Sequence, residues 1–223
     1  MTQYIQRHSK LKRMTHGIHT VSCFALILTG LVLFVPAIFD AVGASGVEIS
    51  RLAHRIFGVA FIAVPLVSLA MAPKGFMHIM QNLFANWDAD DKKFMALFPK
   101  YLFTPKTTHM PPQRAVKSGQ RLSDGALLAM CLGIAVSGVM LWAGAYLSPV
   151  WIMVALLIHD ICFAGIAVIM VVHVYLGAGV WQPYRGLGRL MFGNGRVTVG
   201  EARYHWGHWA EEELASGKNV INE

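Results

Sequence analysis

Residues 156–175 read LLIHDICFAGIAVIMVVHVY, and this segment indicates the fold class of the chain. It carries one charged residue, Asp160, and two histidines, His159 and His173, fourteen positions apart. Fourteen residues of α-helix make almost four whole turns and rise about 21 Å, so both imidazoles project from one face at different depths. The segment predicts a transmembrane helix with one histidine near each membrane surface.

Four long runs of the chain contain no Asp, Glu, Lys or Arg, namely residues 14–39, 56–73, 125–159 and 161–184. About 20 such residues suffice to cross the hydrocarbon core of a bilayer. We therefore predict an all-α integral membrane protein, built as a four-transmembrane-helix bundle. The predicted membrane domain covers residues 1–185, with spans at 14–39, 54–73, 122–143 and 151–184, and residues 186–223 form a cytoplasmic C-terminal tail. The first run is too long for a secretory signal.

The composition agrees with a membrane protein and excludes other classes. The 223 residues are 55% hydrophobic and only 14% charged, whereas an average soluble domain has about 25% charged residues. This excludes intrinsic disorder and a soluble α/β enzyme. The net charge of +7 does not indicate nucleic-acid binding, because the basic residues lie only between the apolar runs.

The distribution of basic residues predicts the orientation. Seventeen of the 19 Lys and Arg residues lie in the N-terminal tail, in residues 74–124 or after residue 184, and the other two are Arg51 and Arg55. Since cytoplasmic loops carry the excess of Lys and Arg, both termini and the long middle connection are expected in the cytoplasm. Residues 40–50 and 144–150 are then short outer loops.

Histidines within the spans are the candidate functional residues, since polar groups are costly there. The first helix carries His16, with His19 nearby, close to the inner surface. The second helix carries His54 close to the outer surface. Two depth layers result, each pairing one histidine of the fourth helix with one from another helix. Two facing imidazoles are the axial ligands that a b-type haem iron requires, so the two layers predict a four-transmembrane-helix bundle binding two b-type haems.

Other uses of these side chains remain open at this point. A non-haem metal site expects carboxylates or thiolates gathered at one depth, whereas a proton relay expects histidines at intermediate depths. Small residues on the spans either let a flat macrocycle approach a helix or serve ordinary helix packing; these are Gly30, Gly58, Gly133, Gly138 and Gly165. The cysteines are expected to pack as small apolar residues; they are Cys23, Cys131 and Cys162.

Several short patterns occur in a fixed order over most of residues 13–180. They are Arg13 with His16 and Gly30, RLAHRIFG (51–58), SGQR (118–121), SGVMLW (137–142) and LLIH…VVHVY. In these patterns the chain resembles the cytochrome b (gamma) subunit of membrane-bound respiratory formate dehydrogenases. That family shares its plan with the cytochrome b subunits of nickel–iron hydrogenases. The resemblance implies that His54 and His159 bind the outer haem iron, and that His16 and His173 bind the inner one, with His19 as a possible substitute for His16.

The resemblance also implies a quinone site beside the inner haem, near SGQR and His173. Gln120 and the backbone N–H near Gly119 are candidate donors to a quinone carbonyl. Where the family commonly has an asparagine close to this glycine, the chain has Lys117 and Ser118.

Two arginines precede proposed ligands by three residues and so lie one helical turn closer to the membrane surface. Arg13 precedes His16, and Arg51 precedes His54. They are candidates to pair with the anionic haem propionates. The alternative is that they are ordinary interfacial arginines that set topology.

The resemblance further implies a subunit that passes electrons from an extracytoplasmic iron–sulfur (beta) subunit, bound to a molybdenum or tungsten catalytic (alpha) subunit, to quinone near the cytoplasmic side. The expected location is the bacterial inner membrane, in contact with lipid and without nucleic acid. Formate oxidation belongs to another subunit, because this chain has no cysteine cluster for iron–sulfur centres. The alternatives are a hydrogenase-type or related cytochrome b subunit and a haem-free anchor or proton-relay transporter.

Two segments outside the spans are predicted to be surface helices. Residues 76–103 mix aromatic and charged side chains, which suits a helix at the membrane interface that is followed by a turn at Pro99. Residues 200–213 suit a second surface helix. We interpret its His205 and His208 as solvated side chains rather than metal ligands.

Overall fold

The structure is a computed structural model that describes residues 2–180 and 182–223. Within these residues the elements follow in the order β1 (Gln3–Gln6), α1 (Lys10–Phe34), α2 (Pro36–Met71), α3 (Pro73–Leu83), α4 (Ala89–Phe103), α5 (Ser118–Trp142), a 3₁₀ turn (Gly144–Tyr146), α6 (Pro149–Gly177), α7 (Arg189–Phe192), β2 (Arg196–Thr198), α8 (Val199–His205), α9 (Gly207–Ser216) and β3 (Val220–Asn222).

Four helices of the described chain are long and apolar enough to cross a membrane, namely α1, α2, α5 and α6. This confirms the predicted four-helix membrane architecture. α6 continues without interruption from Pro149 to Gly177, so His159 and His173 lie on one continuous helix.

The connection between the first two long helices differs from the predicted one. α1 ends at Phe34, and Val35 is extended because the residue before a proline avoids the helical region. Pro36 then begins α2, which is helical through most of the predicted outer loop at 40–50. A break inside α2 lies at Gly43, whose φ of 67° favours a residue without Cβ. Hydropathy therefore located the apolar runs but not the helix ends.

The chain divides into two compact units. Unit 1 comprises Met1–Arg13, Lys74–Leu127 and Ile169–Glu223, and unit 2 comprises Met14–Pro73 and Leu128–Val168. Unit 2 holds the greater part of the four long helices. Unit 1 holds the shorter elements and the ends of α1, α5 and α6.

A small antiparallel sheet in unit 1, with strand order β2-β1-β3, was not predicted from the sequence. In it Ile5 pairs with Val197 on one side and with Val220 on the other. Ile5 and Val197 are fully buried, and the core around them includes Trp206 and Trp209. Thus the N-terminal segment and the C-terminal tail fold together rather than remaining separate tails.

Two predictions for the segments outside the long helices are wrong. Pro99 lies inside α4 instead of ending it. The helix continues because Phe98 and Tyr101, on either side of the proline, pack in the core, which offsets the roughly 3 kcal/mol that an interior proline costs. His205 is buried at 9% exposure rather than solvated, whereas His208 is exposed and lies 3.0 Å from Asp90.

His205 belongs to a buried cluster of cationic and aromatic side chains in unit 1. Its Nδ1 lies 3.4 Å from the Lys117 ammonium nitrogen, and that nitrogen lies 4.1 Å from the centre of the Tyr184 ring. Burial and the Lys117 charge lower the pKa of His205 to about 3. Burial and the Arg7 charge likewise hold the pKa of Lys117 well below its ordinary value.

We expect this cluster to make unit 1 less stable in acid. Between about pH 6.5 and 3 the unfolded chain binds a proton at His205 that the folded chain excludes, so the free energy of unfolding falls as pH falls. Thermal unfolding followed by tryptophan fluorescence should show this fall, and it should be shallower in His205→Phe. His208→Phe, at the exposed histidine of the same segment, is the matched control. An equally steep fall in wild type and His205→Phe would contradict the expectation.

Candidate functional site

The imidazoles of His54 and His159 face each other inside unit 2. His54 comes from α2 and His159 from α6, and their ring centroids lie 6.2 Å apart with the planes inclined at 59°. Two imidazoles bound to one metal ion by bonds of about 2 Å place their ring centroids about 6 Å apart. The observed separation therefore suits two axial ligands on opposite faces of one haem iron.

Each of the two imidazoles meets a hydroxyl on a neighbouring helix. Thr29 Oγ1 on α1 lies 2.8 Å from His54 Nδ1, and Ser137 Oγ on α5 lies 3.1 Å from His159 Nδ1. These contacts engage Nδ1 and leave Nε2 as the nitrogen for metal ligation. Neither hydroxyl was predicted from the sequence; the available signal was that each directly precedes a glycine that was proposed to let a macrocycle approach the helix.

Glycines follow both hydroxyl residues and lie beside the same two rings. A Cβ added at Gly30 would stand 3.7 Å from His54 Cε1, and one added at Gly138 would stand 3.4 Å from His159 Cε1. A side chain at either position would therefore fill the space beside a candidate ligand. By contrast, added Cβ atoms at Gly133 and Gly165 would clash with Cys162 and Met130, which indicates ordinary helix packing. The histidines, hydroxyls and glycines together fit a haem.

The two histidines of the first helix also belong to unit 2. His16 lies near the start of α1, with its Nδ1 3.4 Å from Thr20 Oγ1. His19 lies one turn further along and stacks on Phe61 of α2 at a centroid distance of 4.2 Å. Its buried Nδ1 has no hydrogen-bond partner among the described residues. The choice between His16 and His19 as inner ligand stays a prediction.

The predicted quinone segment begins α5 and lies with His173 in unit 1. Gln120 donates a hydrogen bond of 3.2 Å to Asp124 Oδ2, and the Asp124 carboxylate is near enough to His173 and Lys12 to interact with both electrostatically. Asp124 thus lies near both the candidate quinone donor and the candidate haem ligand, a proximity that the sequence did not indicate. At Gly119 an added Cβ would make only ordinary contacts with Met95 and Phe94.

The start of α5 is fixed by a buried polar network within unit 1. The Ser118 hydroxyl donates to Asp91 Oδ1 over 2.7 Å. Arg121 forms an ion pair with the other oxygen of the same carboxylate at 3.2 Å and donates to the Ala85 carbonyl. Because both charged side chains are almost fully buried, this network determines where Gly119 and Gln120 stand.

The candidate propionate partners differ in their surroundings. Arg13 Nη1 donates to the Gly193 carbonyl at 2.5 Å in unit 1. Arg51 is exposed on α2 of unit 2, three residues before His54. The pairing of either arginine with a propionate stays a prediction.

The arrangement of ligands argues against a non-haem metal centre. Among residues 2–180 and 182–223, the structure has no group of three or more His, Cys, Asp or Glu side chains that would hold a metal ion. A pair of imidazoles supplies two of the six positions around a haem iron, because the macrocycle supplies the other four. The opposed pair is therefore better suited to haem than to a bare ion.

Comparison with known proteins assigns the family. The model of the family described as prokaryotic cytochrome b561 matches residues 7–193. No curated protein matches the chain. Cytochromes of this family bind two b-type haems and serve as membrane electron-transfer subunits of respiratory oxidoreductases, which confirms the predicted cofactor and cytochrome b class. The chain therefore belongs to the prokaryotic cytochrome b561 family, and is a membrane cytochrome b with two haems.

Proposed function

We propose that this chain is the cytochrome b subunit of a respiratory formate dehydrogenase, located in the bacterial inner membrane with both termini in the cytoplasm. In this proposal an iron–sulfur (beta) subunit, joined to a molybdenum or tungsten catalytic (alpha) subunit, docks on the outer side. Electrons then pass through the chain to quinone near the cytoplasmic side. The facing of His54 and His159 across 6.2 Å is the observation that carries the electron-transfer role.

The proposed entry side follows from the position of the outer ligand pair. His159 lies ten residues after the start of α6 at Pro149, which corresponds to about 15 Å of helix. The connection before α6 holds only a 3₁₀ turn at Gly144–Tyr146. Such a short connection is no catalytic domain, which supports the proposal that the electron donor is a separate subunit that binds at this end.

Different side chains are proposed to bind the haems and to bind quinone. His54 and His159 would bind the outer iron, and His16 and His173 the inner iron. Arg13 and Arg51 are proposed to pair with propionates. When bound, each haem supplies a one-electron carrier. In this proposal the histidines hold the two haems at different depths in the membrane, and the apolar helices around them exclude water from the electron-transfer path.

The quinone proposal rests on the polar groups at the start of α5. Gln120 is proposed to donate to a quinone carbonyl, with the backbone near Gly119 as a second donor. Its present acceptor, Asp124, is near enough to His173 to interact with it electrostatically. A carboxylate at this place also suits proton delivery to a reduced quinone from the cytoplasm.

Replacing Gln120 with alanine should slow quinol formation without removing either haem. The variant loses the proposed hydrogen bond to the quinone, and we expect a reduction in turnover of about 10-fold, since one such bond is worth roughly 1–1.5 kcal/mol. The haems should remain reducible by the donor and accumulate in the reduced form during turnover. Leu122→Ala, at an exposed apolar residue two positions on, is the control. Unchanged quinone turnover in Gln120→Ala would place the site elsewhere.

The donor is tested on the complex purified from its native membrane. At least one iron–sulfur subunit should accompany the chain. In rapid mixing, formate should reduce the outer haem even in His173→Ala, because that ligand belongs to the inner haem. If the outer haem stays oxidised while the catalytic subunit still reduces an artificial dye, the proposed entry point is wrong. Reduction by hydrogen instead of formate would assign the chain to a nickel–iron hydrogenase.

A further inference from the structure

We propose that Thr29 and Ser137 are positioning residues for the outer haem. Each accepts a hydrogen bond from Nδ1–H of one axial histidine, holds Nε2 toward the iron and lowers the midpoint potential of that haem. This inference rests on the proposed assignment of His54 and His159 as the outer ligand pair.

The first half of the arrangement is the contact between Thr29 and His54. Thr29 Oγ1 lies 2.7 Å from the Ala25 carbonyl oxygen, one turn back on α1. A hydroxyl has a single proton, so the proton given to Ala25 leaves only lone pairs to face the imidazole. His54 Nδ1, 2.8 Å away, must therefore be the donor. The tautomer protonated on Nδ1 carries its free lone pair on Nε2.

The second half repeats this chemistry on different helices. Ser137 Oγ donates to the Gly133 carbonyl at 2.7 Å, again one turn back. The same oxygen lies 3.1 Å from His159 Nδ1 and accepts from it. Ser137 is only 1% exposed, so water does not compete for this contact. Two hydroxyls on two helices thus impose the same tautomer on two histidines that face each other.

This arrangement has an electronic consequence for the iron. An imidazole that donates its Nδ1 proton to an acceptor is a more basic ligand through Nε2. A more basic ligand favours ferric over ferrous iron, and second-shell hydrogen bonding is one of the means by which a protein sets a haem potential. Removal of either acceptor should therefore raise the midpoint potential of the outer haem and leave the inner haem unchanged.

Potentiometric titration of the purified dihaem protein tests the proposal. In Thr29→Val and in Ser137→Ala we expect both haems to remain bound. The ratio of reduced to oxidised outer haem at a fixed ambient potential should rise about tenfold, equivalent to a shift of about 59 mV for a one-electron couple. The low-spin ferric EPR signal of that haem should also change, because the imidazole planes are no longer held. Thr29→Ser keeps the hydroxyl and should restore the wild-type potential.

Controls separate this role from simple packing. Ser68→Ala removes a hydroxyl on α2 fourteen residues from His54 and should leave the outer potential unchanged. If the outer haem that remains bound to Thr29→Val and to Ser137→Ala keeps its wild-type midpoint potential, the positioning role is overturned. A lower haem content in these variants does not change that conclusion. If instead His54→Ala and His159→Ala both retain the outer haem, the ligand assignment fails and this inference fails with it.

Discussion

Replacing His54 or His159 with alanine is expected to remove one haem and leave the other, so that purified protein carries about one haem per chain in place of two. A b-type haem is held by its axial ligands and by packing, with no covalent bond to the chain. Because the two imidazoles face each other across 6.2 Å and are proposed to bind one iron, loss of either is expected to leave that iron with one ligand. Haem content by pyridine haemochrome and the reduced α-band spectrum measure the result.

His54→Ala and His159→Ala should lose the same haem, which is a stricter expectation than the loss of one haem from each. Redox titration of each should retain one component with the same midpoint potential. His208→Ala is the matched control, because that histidine is exposed and contacts Asp90. Retention of two haems in either His54→Ala or His159→Ala would remove that histidine from the ligand set.

The inner pair is tested in the same series. His16→Ala and His173→Ala should each remove the haem that survives in the outer variants. His19→Ala should keep both haems, although it disturbs the stacking on Phe61. If His19→Ala loses the inner haem while His16→Ala does not, then His19 is the ligand from the first helix.

The parts of this architecture that follow local patterns were accessible from sequence. Uncharged runs of 18 or more residues predict membrane helices, because a helix satisfies the hydrogen bonds of its own backbone in lipid. The spacing of His159 and His173 depends on helical periodicity alone, so their common face on α6 needed no tertiary information. For the same reason His159 and His173 could be assigned to two different depths from the sequence.

The features that escaped prediction depend on contacts between distant segments. Which side chain of α1 meets His54 depends on how α1 is rotated against α2, and the residue pattern of α1 alone does not give this rotation. β1 pairs with β2 about 190 residues away and with β3 about 215 residues away. Its sequence QYIQ has too little alternation of apolar and polar residues to predict a strand. Asp91 stands in the run DADDKK, which has the composition of a solvated surface although its side chain is buried.

Breaking the buried ion pair between Asp91 and Arg121 is expected to have the largest effect on stability. Their side chains are 7% and 4% exposed, and removal of one partner leaves the other charge buried without compensation, at a cost of about 3–5 kcal/mol. Asp91→Ala should cost more than Arg121→Met, since Asp91 also accepts bonds from the Ser118 hydroxyl and the Asp88 backbone. Thermal unfolding of the detergent-purified protein, followed by tryptophan fluorescence, measures both.

The exposed ion pair between Arg114 and Asp88 supplies the matched control. Its N–O distance of 2.7 Å is shorter than that of the buried pair, but its side chains are 45% and 40% exposed. Arg114→Met should therefore cost less than about 1 kcal/mol. The double variant Asp91→Leu with Arg121→Met removes both buried charges and should be more stable than Asp91→Ala. Equal small losses in Arg121→Met and Arg114→Met would show that the buried pair does not stabilise unit 1.

The same variants connect the network to the proposed quinone site. Ser118 and Arg121 anchor the first turn of α5, and Gly119 and Gln120 lie between them. Under conditions where Arg121→Met remains folded, we expect its quinone turnover to fall as in Gln120→Ala while both haems stay bound, because Gln120 is no longer held at a fixed position. Arg114→Met should keep wild-type turnover. Wild-type turnover in a folded Arg121→Met protein would show that quinone reduction does not depend on how this turn is anchored.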